Sequence, residues 1–165
     1  MEKLLLTAVM TLFLLISSDA ILAQPGNSNL DQLKLMQQYV GTWRQITDKD
    51  TIEVFEIQQY GKAFVNHGYH VIKGARSFFY LEDWGYSSKE DKFKGFILWP
   101  NGNYYTWLGS FISEKKLSGE FVQDFDPMEV IGKFEIVLET PANMTITQVT
   151  ASGIKKPEYK YSKIK

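Results

Sequence analysis

The sequence predicts an all-β domain: an up-and-down antiparallel β-barrel of about ten strands, with a short N-terminal helix capping one end. From Thr42 onward, short β-type runs alternate with polar turns at the spacing typical of barrels and sandwiches. No connection is long enough to hold a crossover helix, so consecutive strands should pair as an antiparallel meander. Closure into a barrel would remove the two exposed edges of such a meander, and a two-sheet sandwich is the alternative.

The first 23 residues have the pattern of a secretory signal peptide. Lys3 precedes an apolar run over residues 4–16, and the small side chains of Ala20 and Ala23 offer two cleavage points. We favour cleavage after Ala23. The apolar run is shorter than the roughly 20 residues of a membrane-spanning helix, which disfavours an uncleaved anchor. We therefore expect a periplasmic or extracellular protein with no stable membrane anchor after cleavage.

Residues 24–165 form the expected mature chain. Removing 23 of the 165 residues leaves 142, the length of a single domain. Without Glu2, Lys3 and Asp19 the chain keeps 17 basic and 17 acidic residues, a balance that argues against nucleic acid as a partner. The absence of cysteine excludes disulfides, thiolate metal sites and cysteine catalysis. Aromatic residues, 15% of the chain, supply apolar area for a core.

A short amphipathic helix is expected between Ser28 and Gly41. Ser28 and Asp31 can form a capping box, because each side chain can reach a backbone N–H that the first turn leaves unpaired. Gly41 can end the helix, and Trp43 then points into the barrel. The apolar residues at helical spacing, which should pack against the strands, are Leu30, Leu33, Met36 and Val40.

Polar turn residues divide the rest of the chain into ten expected strands. Asn101-Gly102 is the firmest turn signal, because a two-residue hairpin needs positive φ at both central positions. The two strands that flank it should therefore pair. The expected strands are residues 42–48, 51–58, 62–73, 77–86, 92–99, 103–112, 116–125, 130–140, 143–151 and 158–164.

A helix followed by Gly41-Thr42-Trp43, and then only strands, resembles bacterial lipocalin-like (calycin-type) β-barrel proteins of a family without assigned function. The resemblance covers nearly all of residues 24–165. It implies that the helix plugs one end of the barrel and that Trp43 packs on its floor. The later hairpin motifs that carry it are Tyr60-Gly61-Lys62-Ala63-Phe64, Gly85-Tyr86, Lys92-Phe93-Lys94-Gly95 and Leu117-Ser118-Gly119-Glu120.

One position departs from the vertebrate-type lipocalins, which place an arginine late in the barrel over the floor tryptophan. The arginines of this chain are Arg44 and Arg76, both early in the barrel. Lys160 and Lys163 are the cations that could take that place.

Aromatic residues share single faces of three consecutive strands. We expect them to line a ligand cavity, and the alternatives are that they fill the core or pack on the outer surface. A cavity is favoured because a ten-stranded barrel is wider than the eight strands that side chains can just fill. The three sets are Phe78, Tyr80, Glu82, Trp84 and Tyr86; Phe93, Gly95, Ile97 and Trp99; and Tyr105, Trp107, Gly109 and Phe111.

The two histidines, His67 and His70, are three residues apart and fall on opposite faces of the third strand. They cannot share a metal ion unless the strand bulges at Gly68. A lone haem histidine is a remote alternative. In the haem-binding, nitrobindin-like barrels the haem histidine lies near the end of the chain, where this sequence has no histidine. We expect no metal site and no cofactor.

The function that these features favour is non-catalytic binding of a small apolar or amphipathic molecule inside the barrel, by a monomer or weak dimer. Trp43 would close the floor, while His67 and Tyr69 would orient a polar group. One alternative is a barrel enzyme of isomerase or cyclase type, with His67 or a buried carboxylate as acid or base. Another is a filled barrel acting as an envelope interaction module. The candidate ligand-binding residues are Trp43, His67, Tyr69, Tyr80, Trp84, Tyr105 and Trp107.

Overall fold

The structure, a computed structural model, describes residues 30–165. The predicted signal peptide and Ser28 lie outside the described residues. Ten strands close into one barrel in which every strand pairs antiparallel with its neighbours in sequence, and β1 pairs with β10. This confirms the up-and-down, lipocalin-like barrel and excludes the two-sheet sandwich.

Each of the ten strands overlaps one predicted segment, with ends that differ by four residues at most. The largest difference is at the start of β8. The strands are β1 Gly41–Ile46, β2 Thr51–Tyr60, β3 Ala63–Ile72, β4 Ala75–Ser87, β5 Lys92–Leu98, β6 Tyr104–Ser113, β7 Lys116–Gln123, β8 Asp126–Thr140, β9 Asn143–Thr150 and β10 Tyr159–Lys163.

Two hairpin turns differ from the prediction. At Asn101-Gly102 only the glycine has positive φ (84°), and the Gly102 amide donates to the carbonyl of Trp99 across a turn that begins with Pro100. This is a three-residue loop, a turn followed by one left-handed glycine, rather than a two-residue loop. The strands that flank it do pair, as predicted.

The turn between β7 and β8 lies earlier than Asp126-Pro127, where it was expected. Asp124 and Phe125 both have positive φ, 48° and 63°, and so form the tight turn that the sequence pattern does not announce. Pro127 belongs to β8, in a stretch where the pairing register between β7 and β8 shifts. A bulge tolerates proline because no ladder hydrogen bond is needed there.

The helix is short. Helix α1 spans Gln32–Met36 and a 3-10 turn continues it over Gln37–Tyr39. Asp31 is itself the N-cap, since its Oδ1 accepts a hydrogen bond from the Lys34 amide at 3.0 Å. The predicted apolar face does pack on the core, with Met36 buried and the other three residues partly buried.

Gln32 fastens the helix to the barrel. Its side chain is 2% exposed, its Nε2 donates to the Phe111 carbonyl at 3.1 Å, and its Oε1 accepts from the Phe111 amide at 2.7 Å. The side chain therefore pairs the backbone N–H and C=O of Phe111, at a point of β6 where no neighbouring strand does so. The sequence analysis did not anticipate this contact.

Trp43 lies on the barrel floor, fully buried, as the resemblance implied. Its indole Nε1 donates to the Tyr39 carbonyl at 2.8 Å, and its ring stacks on that of Phe55. The ammonium of Lys163 lies 5.2 Å from the centre of the Trp43 ring and donates to the Gln38 carbonyl. Of the two lysines considered, Lys163 is therefore the cation over the floor tryptophan.

Within residues 30–165, no helix combines the length and the apolarity needed to cross a membrane.

We predict that Gln32→Ala lowers the unfolding free energy by about 1–3 kcal/mol, because it leaves the buried amide and carbonyl of Phe111 without partners. Urea titration followed by tryptophan fluorescence measures the change. Gln37→Ala is the matched control, because Gln37 is exposed and its effect should stay within about 0.5 kcal/mol. Equal losses in the two variants would contradict the anchoring role of Gln32.

Candidate functional site

The barrel interior has a filled part and a hollow part. In the filled part, rings and aliphatic side chains pack directly against one another, among them Phe64, Phe93, Phe111 and Leu138. Beside them lies a cavity of about 300 Å³, at the lower end of the range for small-molecule sites, and Met36 and Tyr39 of the helical segment are part of its lining. The filled-barrel alternative required bulky side chains throughout the interior, and this cavity contradicts it.

A β-bulge sets which side chains of β4 face the cavity. Gly68 pairs with Tyr80 and Tyr69 with Phe78, so Phe79 is an extra residue without a partner on β3. The bulge reverses the facing of the first part of β4. Phe78 is therefore 54% exposed rather than on the same face as Tyr80, which corrects the predicted set, while Phe79 lines the cavity.

Three glycines of the barrel wall each lie under an aromatic ring of the neighbouring strand. The directly paired residues are Gly68 with Tyr80, Gly95 with Trp107, and Gly119 with Phe134. A Cβ atom on any of the three glycines would collide with the ring opposite. The absence of a side chain allows these rings to lie against the wall instead of standing across the interior.

Glu82 is the central polar group of the cavity. Its Oε1 accepts from Trp107 Nε1 at 2.7 Å and its Oε2 from Asn66 Nδ2 at 2.9 Å. Burial raises the pKa of the Glu82 carboxyl to about 7, although the hydrogen bonds from Asn66 and Trp107 act in the opposite direction. The carboxyl group is therefore partly protonated near neutral pH.

Glu53 is a second carboxyl group in the cavity wall. Its Oε1 accepts from the Tyr161 hydroxyl at 2.9 Å, and burial raises the pKa of this carboxyl above its ordinary value. The Tyr80 hydroxyl, which accepts from Asn66 Nδ2 at 3.2 Å, lies near both acids. Burial and then the negative charges of Glu82 and Glu53 raise the pKa of Tyr80 well above its ordinary value.

Two polar atoms of cavity-lining residues have no hydrogen-bond partner among residues 30–165. They are Asn66 Oδ1, an acceptor, and Trp84 Nε1, a donor. Both atoms have almost no accessible surface, so neither is open to the cavity, and leaving each of them unpaired lowers the stability of the barrel.

Of the seven predicted ligand-binding residues, three line the cavity: Tyr80, Trp84 and Trp107. Trp43 lies below it, on the floor. Tyr105 is 47% exposed and packs on Trp99 and Phe121, which puts it at the edge of the cavity.

The other two predicted residues, His67 and Tyr69, lie on the outer face of the barrel. His67 is exposed, and the Tyr69 hydroxyl donates to Glu56 at 2.9 Å. The Arg76 guanidinium covers the Tyr69 ring at 4.4 Å, which explains why an outward-facing tyrosine is buried. His70 faces the other way, paired with Glu53 and stacked on Phe79, so the two histidines stay on opposite faces despite the bulge.

The predicted site residues did not include Glu53, Asn66, Glu82 or Tyr161, although Glu82 was part of the face predicted for β4. A signal for Glu53 was present, because it shares the alternation of Phe55 and Ile57 along β2, and these two apolar residues face the cavity. Tyr161 lies on β10 and Glu53 on β2, and β1 lies between these strands, so their contact follows only from the closed barrel.

Within the described part of the chain, no group of three or more histidine, cysteine, aspartate or glutamate side chains is arranged to hold a metal ion.

No protein-family profile and no curated protein sequence matches this chain. Among solved structures, the barrel is similar to As-p18, an extracellular fatty acid binding protein, with a TM-score of 0.49 and 10% sequence identity over 78% of this chain and 97% of the other. It is also similar to a redesigned β-barrel, with a TM-score of 0.33 and 9% identity over 78% of this chain and 93% of the other. At such low identities and TM-scores, neither likeness bears on what this chain binds.

We predict that Gly95→Ala lowers the unfolding free energy by about 1–3 kcal/mol, because the new methyl group overlaps the Trp107 ring and displaces it. Chemical denaturation measures the loss, and the tryptophan emission maximum should shift with the ring. Gly85→Ala is the control, because Gly85 has negative φ and open space around its Cα. A loss of the same size in Gly85→Ala would contradict the proposed packing of Trp107 on Gly95.

The raised pKa of Glu82 predicts a pH dependence of stability. Between about pH 4.5 and pH 7 the unfolded chain has released a proton that the folded chain still holds at Glu82, so stability should fall as pH rises through this window. From about pH 4.5 to pH 7, the unfolding free energy of the wild type should fall by about 1–3 kcal/mol more than that of Glu82→Gln, which has no carboxyl group to titrate at this position. Urea titrations of both proteins across this range measure the difference, and parallel curves would contradict it.

Proposed function

We propose that this protein is an exported carrier that binds one small apolar or amphipathic molecule inside the barrel and does not transform it. The observation that carries the proposal is the cavity of about 300 Å³ inside the barrel, which extends from Met36 and Tyr39 of the helical segment to Gln148 and Tyr159. Export rests on the signal-peptide pattern of residues 1–23.

The cavity lining supports an amphipathic occupant. Aromatic and aliphatic side chains make up most of the wall, and polar side chains are few, as in most small-molecule sites. Burial of apolar ligand surface would provide most of the affinity, at about 25 cal/mol per Å². The carboxyl groups of Glu82 and Glu53 would orient the polar part of the ligand.

The direct test is to express residues 24–165 and to record native and denaturing mass spectra side by side. A small mass that is retained in the native spectrum and lost on denaturation supports the carrier and begins to identify its cargo. A clean ligand-free mass, together with no thermal shift across long-chain acids, alcohols, amines, isoprenoids and haem, would reject it.

We predict that Ile146→Phe, which fills part of the cavity, weakens binding of the retained molecule by at least about tenfold, because the ligand and the new ring compete for the same space. Titration calorimetry or the fraction of ligand-bound protein in native spectra measures the loss. Ile112→Phe is the matched control, because Ile112 is partly exposed and does not line the cavity. Unchanged binding in Ile146→Phe would place the ligand elsewhere.

A second candidate function, a barrel enzyme, is favoured by one observation. Glu82 lies in the cavity wall with a pKa of about 7, as a general acid or base working near neutral pH requires. His67, the other acid–base candidate, faces away from the cavity. Glu82 would then move a proton on the bound molecule.

The two functions differ in the fate of the ligand. When a ligand found by native mass spectrometry is incubated with the protein and recovered, a carrier returns the same molecule. An isomerase or cyclase returns a product with a different chromatographic retention time, and Glu82→Gln abolishes its formation. Recovery of the unchanged ligand after prolonged incubation would reject the enzyme.

A further inference from the structure

Two carboxyl groups are the acidic side chains of the cavity wall. Glu82 and Glu53 supply them, and the other polar side chains there, Asn66, Gln148 and four tyrosines, carry amide or hydroxyl groups. Within residues 30–165, the side chains that line the cavity include no lysine, arginine or histidine. Nothing in the wall would neutralise an anionic group.

This arrangement discriminates between the possible head groups of an amphipathic ligand. A carboxylate or phosphate head would be buried beside two acids without a counter-charge, and charge repulsion is strong where water is excluded. A hydroxyl group would be tolerated but would gain little from the acids. An ammonium group would be attracted by the opposite charge of the ionised carboxyl groups. Its positive charge would also lower the free energy needed to ionise them inside the barrel.

We infer that the ligand of this cavity is a cationic amphiphile, an amine carried on an apolar chain or ring system, with its head group held by Glu82 and Glu53. This inference rests on the proposed carrier function and narrows it to one ligand class. It separates the protein from carriers of fatty acids, whose head group has the opposite charge.

The geometry around Glu82 fits an ammonium group. A primary ammonium donates three hydrogen bonds and accepts none, and each Glu82 oxygen accepts only one bond in this structure and has a further lone pair. The aromatic wall adds a second attraction, because cations bind the faces of tryptophan and tyrosine rings. The rings of Trp84 and Trp107, 6.0 Å apart, lie next to Glu82.

Binding of an amine should be coupled to the ionisation of Glu82. The raised pKa of Glu82 means that this carboxyl is protonated at about pH 5.5 and ionised at about pH 8, while an alkylamine stays cationic throughout. Amine affinity should therefore rise with pH, and affinity for an acid should fall. The titratable groups around Glu82 are Glu53, His70, Tyr80, Asp83, Tyr159 and Tyr161.

The experiment compares three ligands with the same chain and different head groups: decylamine, decanol and decanoic acid. Residues 24–165 are titrated with each by calorimetry, below the concentrations at which the ligands form micelles, at about pH 8 and about pH 5.5. The amine is expected to bind at least about tenfold more tightly than the acid at the higher pH, and to lose most of this preference at the lower pH.

Two variants connect the preference to the acids. Glu82→Gln and Glu53→Gln should each reduce amine affinity severalfold and leave decanol affinity nearly unchanged, which also shows that the variants are folded. Glu120→Gln is the control: Glu120 pairs with Lys133 at 3.1 Å on the outer face of the barrel and should not affect binding.

Three outcomes are informative. Preference for decylamine that is lost in Glu82→Gln supports the inference. Equal or tighter binding of decanoic acid at about pH 8 overturns it and leaves the carrier function standing. If none of the three ligands binds and the native spectra show a ligand-free protein, the carrier function itself fails and the inference with it.

Discussion

The rest of the structure depends on the seam at which the barrel closes. Strands β1 and β10 share only two register pairs, Trp43 with Lys163 and Arg44 with Ser162. Two more backbone hydrogen bonds extend the seam. The Ile164 amide donates to the Thr42 carbonyl at 2.8 Å, and the Thr42 amide donates to the Lys165 carbonyl at 2.9 Å. The same few residues place Lys163 over the Trp43 ring, so the seam and the floor of the barrel stabilise each other. Without this closure Tyr161 would not reach Glu53, and the cavity would have no continuous wall.

Closure of ten strands makes an interior that side chains do not have to fill, and the glycine positions decide how the space is used. At Gly95 and Gly68 a neighbouring ring lies down on the wall, which leaves a hollow between the rings. Phe93 is also paired with a glycine, Gly109, but the atoms nearest to a Cβ there belong to Ser118, Gly119 and Trp107. The rings of Phe64, Phe93 and Phe111 instead pack edge to face across the interior. The sequence thus encodes both a solid floor and a cavity with the same aromatic residue types.

Strand positions and the barrel order could be predicted because they depend on local turn chemistry and on short connections, which the sequence displays directly. The facing of β4 could not be fully predicted, because the extra residue Phe79 interrupts the alternation without a glycine or proline to mark it. His67 was expected inside on the strength of its chemistry, whereas its strand neighbours Asn66 and Gly68 hold the interior positions. Pairs such as Glu53 with Tyr161, 108 residues apart, follow only from the closed barrel.

Two glutamates in an otherwise apolar cavity are costly for folding. Burial raises the pKa of both carboxyls, so at neutral pH each acid is less stable in the barrel than in the unfolded chain. Apolar side chains of similar size at Glu53 and Glu82 would remove this cost, and buried charged groups are commonly no more stabilising than such replacements. Trp107, Asn66 and Tyr161 donate to the two acids and hold them in fixed positions rather than releasing them to solvent. A destabilising group that is held so firmly is better explained by what enters the cavity than by the stability of the barrel, in agreement with the proposed contact between the two acids and a ligand head group.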